Sequence, residues 1–166
     1  MSRLTLVTVL ALAACVSSAP QRGTAFRPAS AGIWSAAAFV PARIEGSWRQ
    51  VAAYAAGDRP GCAPGGAEIT RGAGGLQISA RLCLNGREVR ASGPLGQAGP
   101  GRLAVPGMAD WWVIWVDSGY RTLAVATPDG SFGFVLDRGA IPPDRLTAAA
   151  EIFEFNGYAK AGLRPF

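Results

Sequence analysis

Leu76-Gln77-Ile78-Ser79-Ala80-Arg81-Leu82-Cys83-Leu84 alternates apolar with mostly polar side chains. That is the period of a strand with one face buried and one face wet. Asn85-Gly86 follows, two residues that tolerate positive φ and so predict a tight hairpin, and Val89 and Ala91 continue the alternation beyond it. Working outward, Arg102 to Val105, Asp110 to Val116, Tyr120 to Thr127 and Ser131 to Asp137 predict four more short strands. Pro-Gly, Asp-Ser-Gly and Pro-Asp-Gly turns separate them. With the earlier strands the count is about eight, which predicts an antiparallel meander. Trp111 to Val116 is apolar on both faces, so something must cover its outer side. Pro142-Pro143-Asp144 opens a segment with Leu146, Ala149, Ala150 and Phe153 at helical spacing, and Asn156-Gly157 closes it. This predicts a helix of about three turns that supplies the cover.

The 166 residues fit one compact domain plus a short extension, and the 22 glycines and 12 prolines punctuate short apolar segments without forming a low-complexity tract. Histidine is absent, which removes the commonest general base, the His-dependent nucleophilic systems and the commonest metal ligand. The net charge of +5 comes almost wholly from arginines scattered singly along the chain, with Lys160 the only lysine. No basic patch with interleaved aromatics emerges, so nucleic acid is not an expected partner. Asp117 and Asp137 flank turns, and Glu151 and Glu154 sit on the predicted helix where charges face solvent, so neither pair reads as an acid and base. Gly61, Gly65, Gly66, Gly72, Gly74 and Gly75 follow no phosphate-cradling spacing, and no cofactor is expected.

The N-terminus begins Met1-Ser2-Arg3, followed by an apolar run from Leu4 to Leu12 that falls far short of the roughly 20 residues of a spanning helix. It reads as a secretory signal. The run ends in Leu12-Ala13-Ala14-Cys15, which resembles the lipobox of bacterial lipoproteins. That resemblance implies cleavage after Ala14, lipid on the Cys15 thiol and acylation, with palmitate for example, of its amine. At about 0.8 kcal/mol per buried methylene, several chains give a stable membrane anchor. Val16 after the cysteine implies an outer-membrane, periplasm-facing location. Residues 15–38, rich in Ala, Ser, Pro and Gly, are expected to be a flexible tether, with Phe26 and Trp34 as exceptions within it.

Phe39 to Glu45 leading into Gly46-Ser47-Trp48, then Asp117-Ser118-Gly119-Tyr120, then Pro128-Asp129 and Phe132-x-Phe134-x-Leu136-x-Arg138, together resemble the three signature motifs of the lipocalins. The resemblance covers about residues 39–163 and is nearest to the bacterial outer-membrane lipocalins and their apolipoprotein D-like relatives. It departs from their pattern in having phenylalanine at 132 and 134 and a short Gly- and Pro-rich passage from Ser92 to Gly107. It implies an all-β, eight-stranded up-and-down barrel over residues 39–166 with the C-terminal helix packed outside, and Tyr158 to Phe166 running back along the wall. Gly46, Trp48, Asp117, Tyr120 and Arg138 are then structural, Arg138 lying across Trp48 at the closed end.

Once Cys15 carries lipid, Cys62 and Cys83 are the remaining thiols, and in an oxidising periplasm a disulfide is expected between them. Metal binding is the alternative, disfavoured without histidine. Tyr54, Trp112, Ile114, Phe132 and Phe134 are the candidate ligand-facing residues, because apolar pockets are lined by aromatic and aliphatic side chains. The alternative is that they fill a solid core. The lipocalin resemblance implies a binding protein for a small hydrophobic ligand such as a fatty acid or lysophospholipid, serving lipid storage, transport or envelope maintenance. An envelope interaction protein with a side-chain-filled barrel is the rival, and an enzyme the least favoured, since no convergent set of catalytic types is visible.

Overall fold

Alternation in the sequence becomes a single antiparallel sheet wrapped on itself. The computed structural model describes residues 24–166, so the signal segment, Cys15 and the first part of the expected tether lie outside the described residues. A short 3-10 turn, Pro41–Ile44, leads into β1 (Gly46–Tyr54). There follow β2 (Gly66–Gly72), β3 (Gly75–Leu84), β4 (Arg87–Pro94), β5 (Gly96–Gly99), β6 (Arg102–Ala104), β7 (Trp111–Val116), β8 (Thr122–Ala126) and β9 (Gly133–Asp137). The helix α1 (Pro143–Phe155) and a final strand β10 (Leu163–Pro165) complete the chain.

The strand order is β4-β3-β2-β1-β9-β8-β7-β6-β5, every neighbour antiparallel, and β10 pairs with β1. Nine strands lie on this path where the sequence predicts about eight. The difference is local: β4 and β5 are two arms of one run separated by Leu95, the first arm paired with β3 and the second with β6. This bent run brings the two ends of the sheet together. Gly93, at φ +138, sits just before the bend, a backbone conformation that a side chain would strain.

Two apolar layers result. Inside the barrel lie Trp48, Leu82, Leu103, Trp111, Leu123 and Phe134 with their neighbours. Outside, Ala52, Ala124, Ala126 and Val135 form a flat wall, and α1 lays Ala149 and Phe153 on it, both 0% exposed. The alanines are what let the helix approach, and the helix is why β8 and β9 are buried on both faces. At about 25 cal/mol per Å² of apolar surface removed from water, this second layer is a large part of the stability.

Two β-bulges set which residues face which layer. β1 gains a residue between Gln50 and Ala52 against β9, and β7 gains one between Val113 and Trp115 against β8. Beside the first bulge, the buried Gln50 side chain takes over a backbone role. Its Nε2 donates to the Cys83 carbonyl at 2.8 Å, and its Oε1 accepts from Cys83 N at 2.8 Å and Gly65 N at 3.3 Å.

Residues 24–38 correct the expectation of a free tether over 15–38. From Thr24 onward the chain is a strap against the outer wall. Phe26 N donates to the Gly130 carbonyl at 2.8 Å, Ala36 N to the Val113 carbonyl at 2.8 Å, and the rings of Phe26 and Trp34 lie 5.5 Å from those of Tyr54 and Phe155. Arg27, only 4% exposed, donates from Nε to the Asn156 carbonyl at 2.9 Å and from Nη2 to the Gly32 carbonyl at 3.1 Å, and also reaches the Pro128 and Ala31 carbonyls. It thus meets the negative end of the α1 dipole. A composition of Ala, Ser, Pro and Gly hides these few anchors.

Cys62 and Cys83 form a disulfide with Cα atoms 5.6 Å apart, fastening the β1–β2 loop to the end of β3. By the chain-entropy relation a loop of about 20 residues is worth about 3 kcal/mol. We expect urea unfolding of the reduced protein, or of the Cys62→Ala/Cys83→Ala double variant, to show a loss of about that size relative to the oxidised chain.

Candidate functional site

The three signature segments meet at one end of the barrel. Trp48 is buried, with its Nε1 donating to the Ile44 carbonyl at 2.8 Å, and the Arg138 guanidinium lies 4.2 Å from the indole centroid. Arg138 also donates from Nε to the Tyr120 carbonyl at 2.8 Å and from Nη2 to the Arg43 and Glu45 carbonyls at 3.1 and 2.9 Å. Gly46 at φ +112 is required here, because a Cβ would stand 2.8 Å from Arg138 Nη1. Asp117 holds the β7–β8 turn, its Oδ1 accepting from the backbone N–H groups of Arg121 and Thr122, each at 2.7 Å. The Tyr120 ring carries the Arg43 guanidinium at 3.9 Å, and its hydroxyl accepts from Val40 N at 2.8 Å. This end is sealed. The meander puts the β1–β2, β3–β4, β6–β7 and β8–β9 connections at the opposite end, which is the mouth.

Of the five candidate ligand-facing residues, the barrel interior brings together Phe132 and Phe134, ring centroids 5.9 Å apart. Tyr54, Trp112 and Ile114 face outward into the layer under α1 and the strap, which corrects their assignment to the interior. Counting by two from Trp48 puts Tyr54 inside; the bulge after Gln50 reverses the parity and turns it out. Trp112 pairs with the outward Ala126 and stacks under the Arg102 guanidinium at 3.9 Å, Ile114 shares its face by simple alternation, and the second bulge turns Trp115 out beside them. The inward aromatic on this strand is Trp111, edge-on to Phe134 at 5.1 Å. A strand apolar on both faces carries no periodic signal that could have told Trp111 from Trp112.

The interior-facing core residues are 7% exposed or less, and they are apolar from Trp48 to Phe132. Clefts lie on the outer surface, one over β1 to β4 among Ser47, Glu68, Ser79 and Arg90, another beside Arg59, Pro60 and Phe166. Three buried polar atoms have no hydrogen-bond partner in the described residues: Tyr54 Oη, Arg102 Nε and Trp111 Nε1. No group of three or more His, Cys, Asp or Glu side chains comes together among the described residues.

Solved structures share this architecture. The major allergen Per a 4 from cockroaches is 12% identical, with 81% of this chain and 93% of that chain covered at a TM-score of 0.57. Insecticyanin from the tobacco hornworm Manduca sexta is 12% identical, with 80% and 82% covered at 0.58. This is the lipocalin fold. The siderocalin Ex-FABP, described as functioning through dual ligand specificities, shares it at 14% identity, with 75% of this chain and 95% of that chain covered at a TM-score of 0.53. At such identities the likeness is one of fold. No protein-family profile and no curated protein matches the sequence.

Within this lipocalin barrel, the sealed end and the outer layer each give a stability prediction. Arg138→Ala removes the stacked cation and three hydrogen bonds to carbonyls, and we expect a loss on the order of 3 kcal/mol by urea unfolding. Tyr54→Phe removes an unpartnered buried hydroxyl and should raise stability by about 1 kcal/mol at neutral pH. Burial pushes the Tyr54 and Tyr158 phenols above the usual tyrosine value, so the folded chain holds those protons more tightly than the unfolded chain. Their contribution is intact below about pH 10 and falls as pH rises past it, a decline that Tyr54→Phe should make shallower in an alkaline titration of stability.

Proposed function

We propose that this chain is a lipid-anchored, periplasm-facing lipocalin of the outer membrane that takes a small hydrophobic ligand, of the fatty-acid or lysophospholipid class, into its barrel. The carrying observation is the large apolar core that faces the interior, sealed at one end by Trp48 and Arg138 and bordered at the other by connecting loops. Burying acyl methylenes in such an interior is favourable at about 0.8 kcal/mol each. Lipid storage, transport or envelope maintenance is the role that follows, without covalent chemistry. The siderocalin Ex-FABP, with its dual ligand specificities, supports ligand holding by this fold.

The anchor reading rests on Leu12-Ala13-Ala14-Cys15. The strap adds to it: Thr24 accepts a hydrogen bond from Asn85 in the β3–β4 turn, and Phe26 bonds Gly130 in the β8–β9 turn, both at the mouth. Eight residues lie between Cys15 and Thr24, a reach of at most about 30 Å. A lipid on Cys15 would therefore keep the mouth near the bilayer.

The tight burial of the interior, with the clefts outside, favours a second reading in which side chains fill the barrel and the outer surface meets an envelope partner. Native mass spectrometry of the Cys15→Ser chain without its signal, with fatty acids and lysophospholipids, separates the two. A stoichiometric adduct displaced by a second lipid is expected; a folded barrel that ignores every lipid offered supports the filled reading. For the anchor, the intact mass of the membrane-extracted chain should equal that from Cys15 onward plus its acyl groups, and Cys15→Ser should release it to the soluble fraction.

A further inference from the structure

Trp111 presents a polar atom that the apolar interior does not use. The residue is 1% exposed, its Nε1 has no hydrogen-bond partner, and it faces inward beside Phe134 at the start of β7, the mouth end of that strand. An indole N–H donates only, so an acceptor must come from outside the described residues. A buried donor left unmet is destabilising, and a phenylalanine there would fill nearly the same space without that defect. Arg27 and Asp137 are the only buried charged side chains among the described residues. The buried Arg27 lies in the strap, and the buried Asp137 faces outward, held by Thr122 Oγ1 at 2.6 Å. A carboxylate drawn into the interior would lack a counter-charge, whereas an uncharged carbonyl needs one donor and no neutralisation.

We propose that Trp111 Nε1 is the specificity-determining donor of the barrel, selecting long-chain ligands that carry an uncharged carbonyl, such as an ester, over free carboxylates and plain hydrocarbons. The inference rests on the ligand-holding reading above and narrows its ligand class to the ester-bearing lipids, lysophospholipids over free fatty acids. The carbonyl sits beside Trp111 just inside the mouth, and the chain runs on among the apolar side chains beyond it.

The test uses the Cys15→Ser chain from residue 15 to residue 166, with methyl laurate, laurate and dodecane as probes, and Trp111→Phe as the variant. Methyl laurate is expected to bind about tenfold tighter than dodecane and tighter than laurate, and Trp111→Phe should abolish the ester's advantage over dodecane. In the 15N spectrum of the tryptophan indoles, the resonance missing from Trp111→Phe should move downfield when the ester binds and stay in place with dodecane. Equal binding of the ester and dodecane, laurate binding as tightly as the ester, or an ester advantage that survives Trp111→Phe overturns the assignment of Trp111 while leaving ligand holding intact. A folded chain that binds none of the three overturns both.

Discussion

A guanidinium laid on an indole holds the first and last barrel strands to each other. Trp48 belongs to β1 and Arg138 follows β9, and these strands are neighbours in the closed sheet, so the stack completes a ring that the chain leaves open for some 90 residues. Its hydrogen bonds to the carbonyls of Tyr120, Arg43 and Glu45 draw in the β7–β8 turn and the 3-10 turn before β1. Three segments far apart in sequence thus share one side chain, and Gly46 must be a glycine to let it in. Long-range closure of this kind is entropically expensive, which is why one well-connected residue has such leverage.

The wall between this clamp and the mouth has cores on both of its sides. The inner core is built from larger side chains, Leu, Phe and Trp, converging from opposite strands; the outer is built by flattening β8 and β1 with alanines so that α1 can settle. Packing on both faces fixes the register of β8 and β9, since a slip of one residue would exchange large for small on each side at once. The bent β4–β5 run has no such second layer and depends on Gly93 and its ladder bonds instead.

What was legible in the sequence follows from where the signals are local. The alternation of Leu76 to Leu84, the Asn85-Gly86 turn, the helix from Pro143 and the pairing of Cys62 with Cys83 are each written in a few adjacent residues, and each stands in the structure. The sealed end was legible because its motifs are rigid in spacing. The facing of Tyr54 was not, because a bulge adds one residue without leaving a mark in composition and parity downstream of it inverts, and that of Trp112 and Ile114 was not, because β7 is apolar on both faces. The strap was hidden for a different reason: Arg27 is satisfied by backbone carbonyls, which no sequence pattern advertises.

Arg27 also decides how the molecule would respond to being pulled. Tension applied upstream of Thr24 does not travel directly to β1. It arrives first at the β3–β4 turn through the Thr24 carbonyl, then at the β8–β9 turn and the C-terminal end of α1 through the bonds of Phe26 and Arg27. Those contacts would be stripped one after another, so the strap acts as a mechanical fuse, lengthening the linkage by the span of residues 24–35 before β7 is loaded through the bond of Ala36 to Val113. A protein exposed to shear at one end can yield there and re-seat without unzipping its sheet.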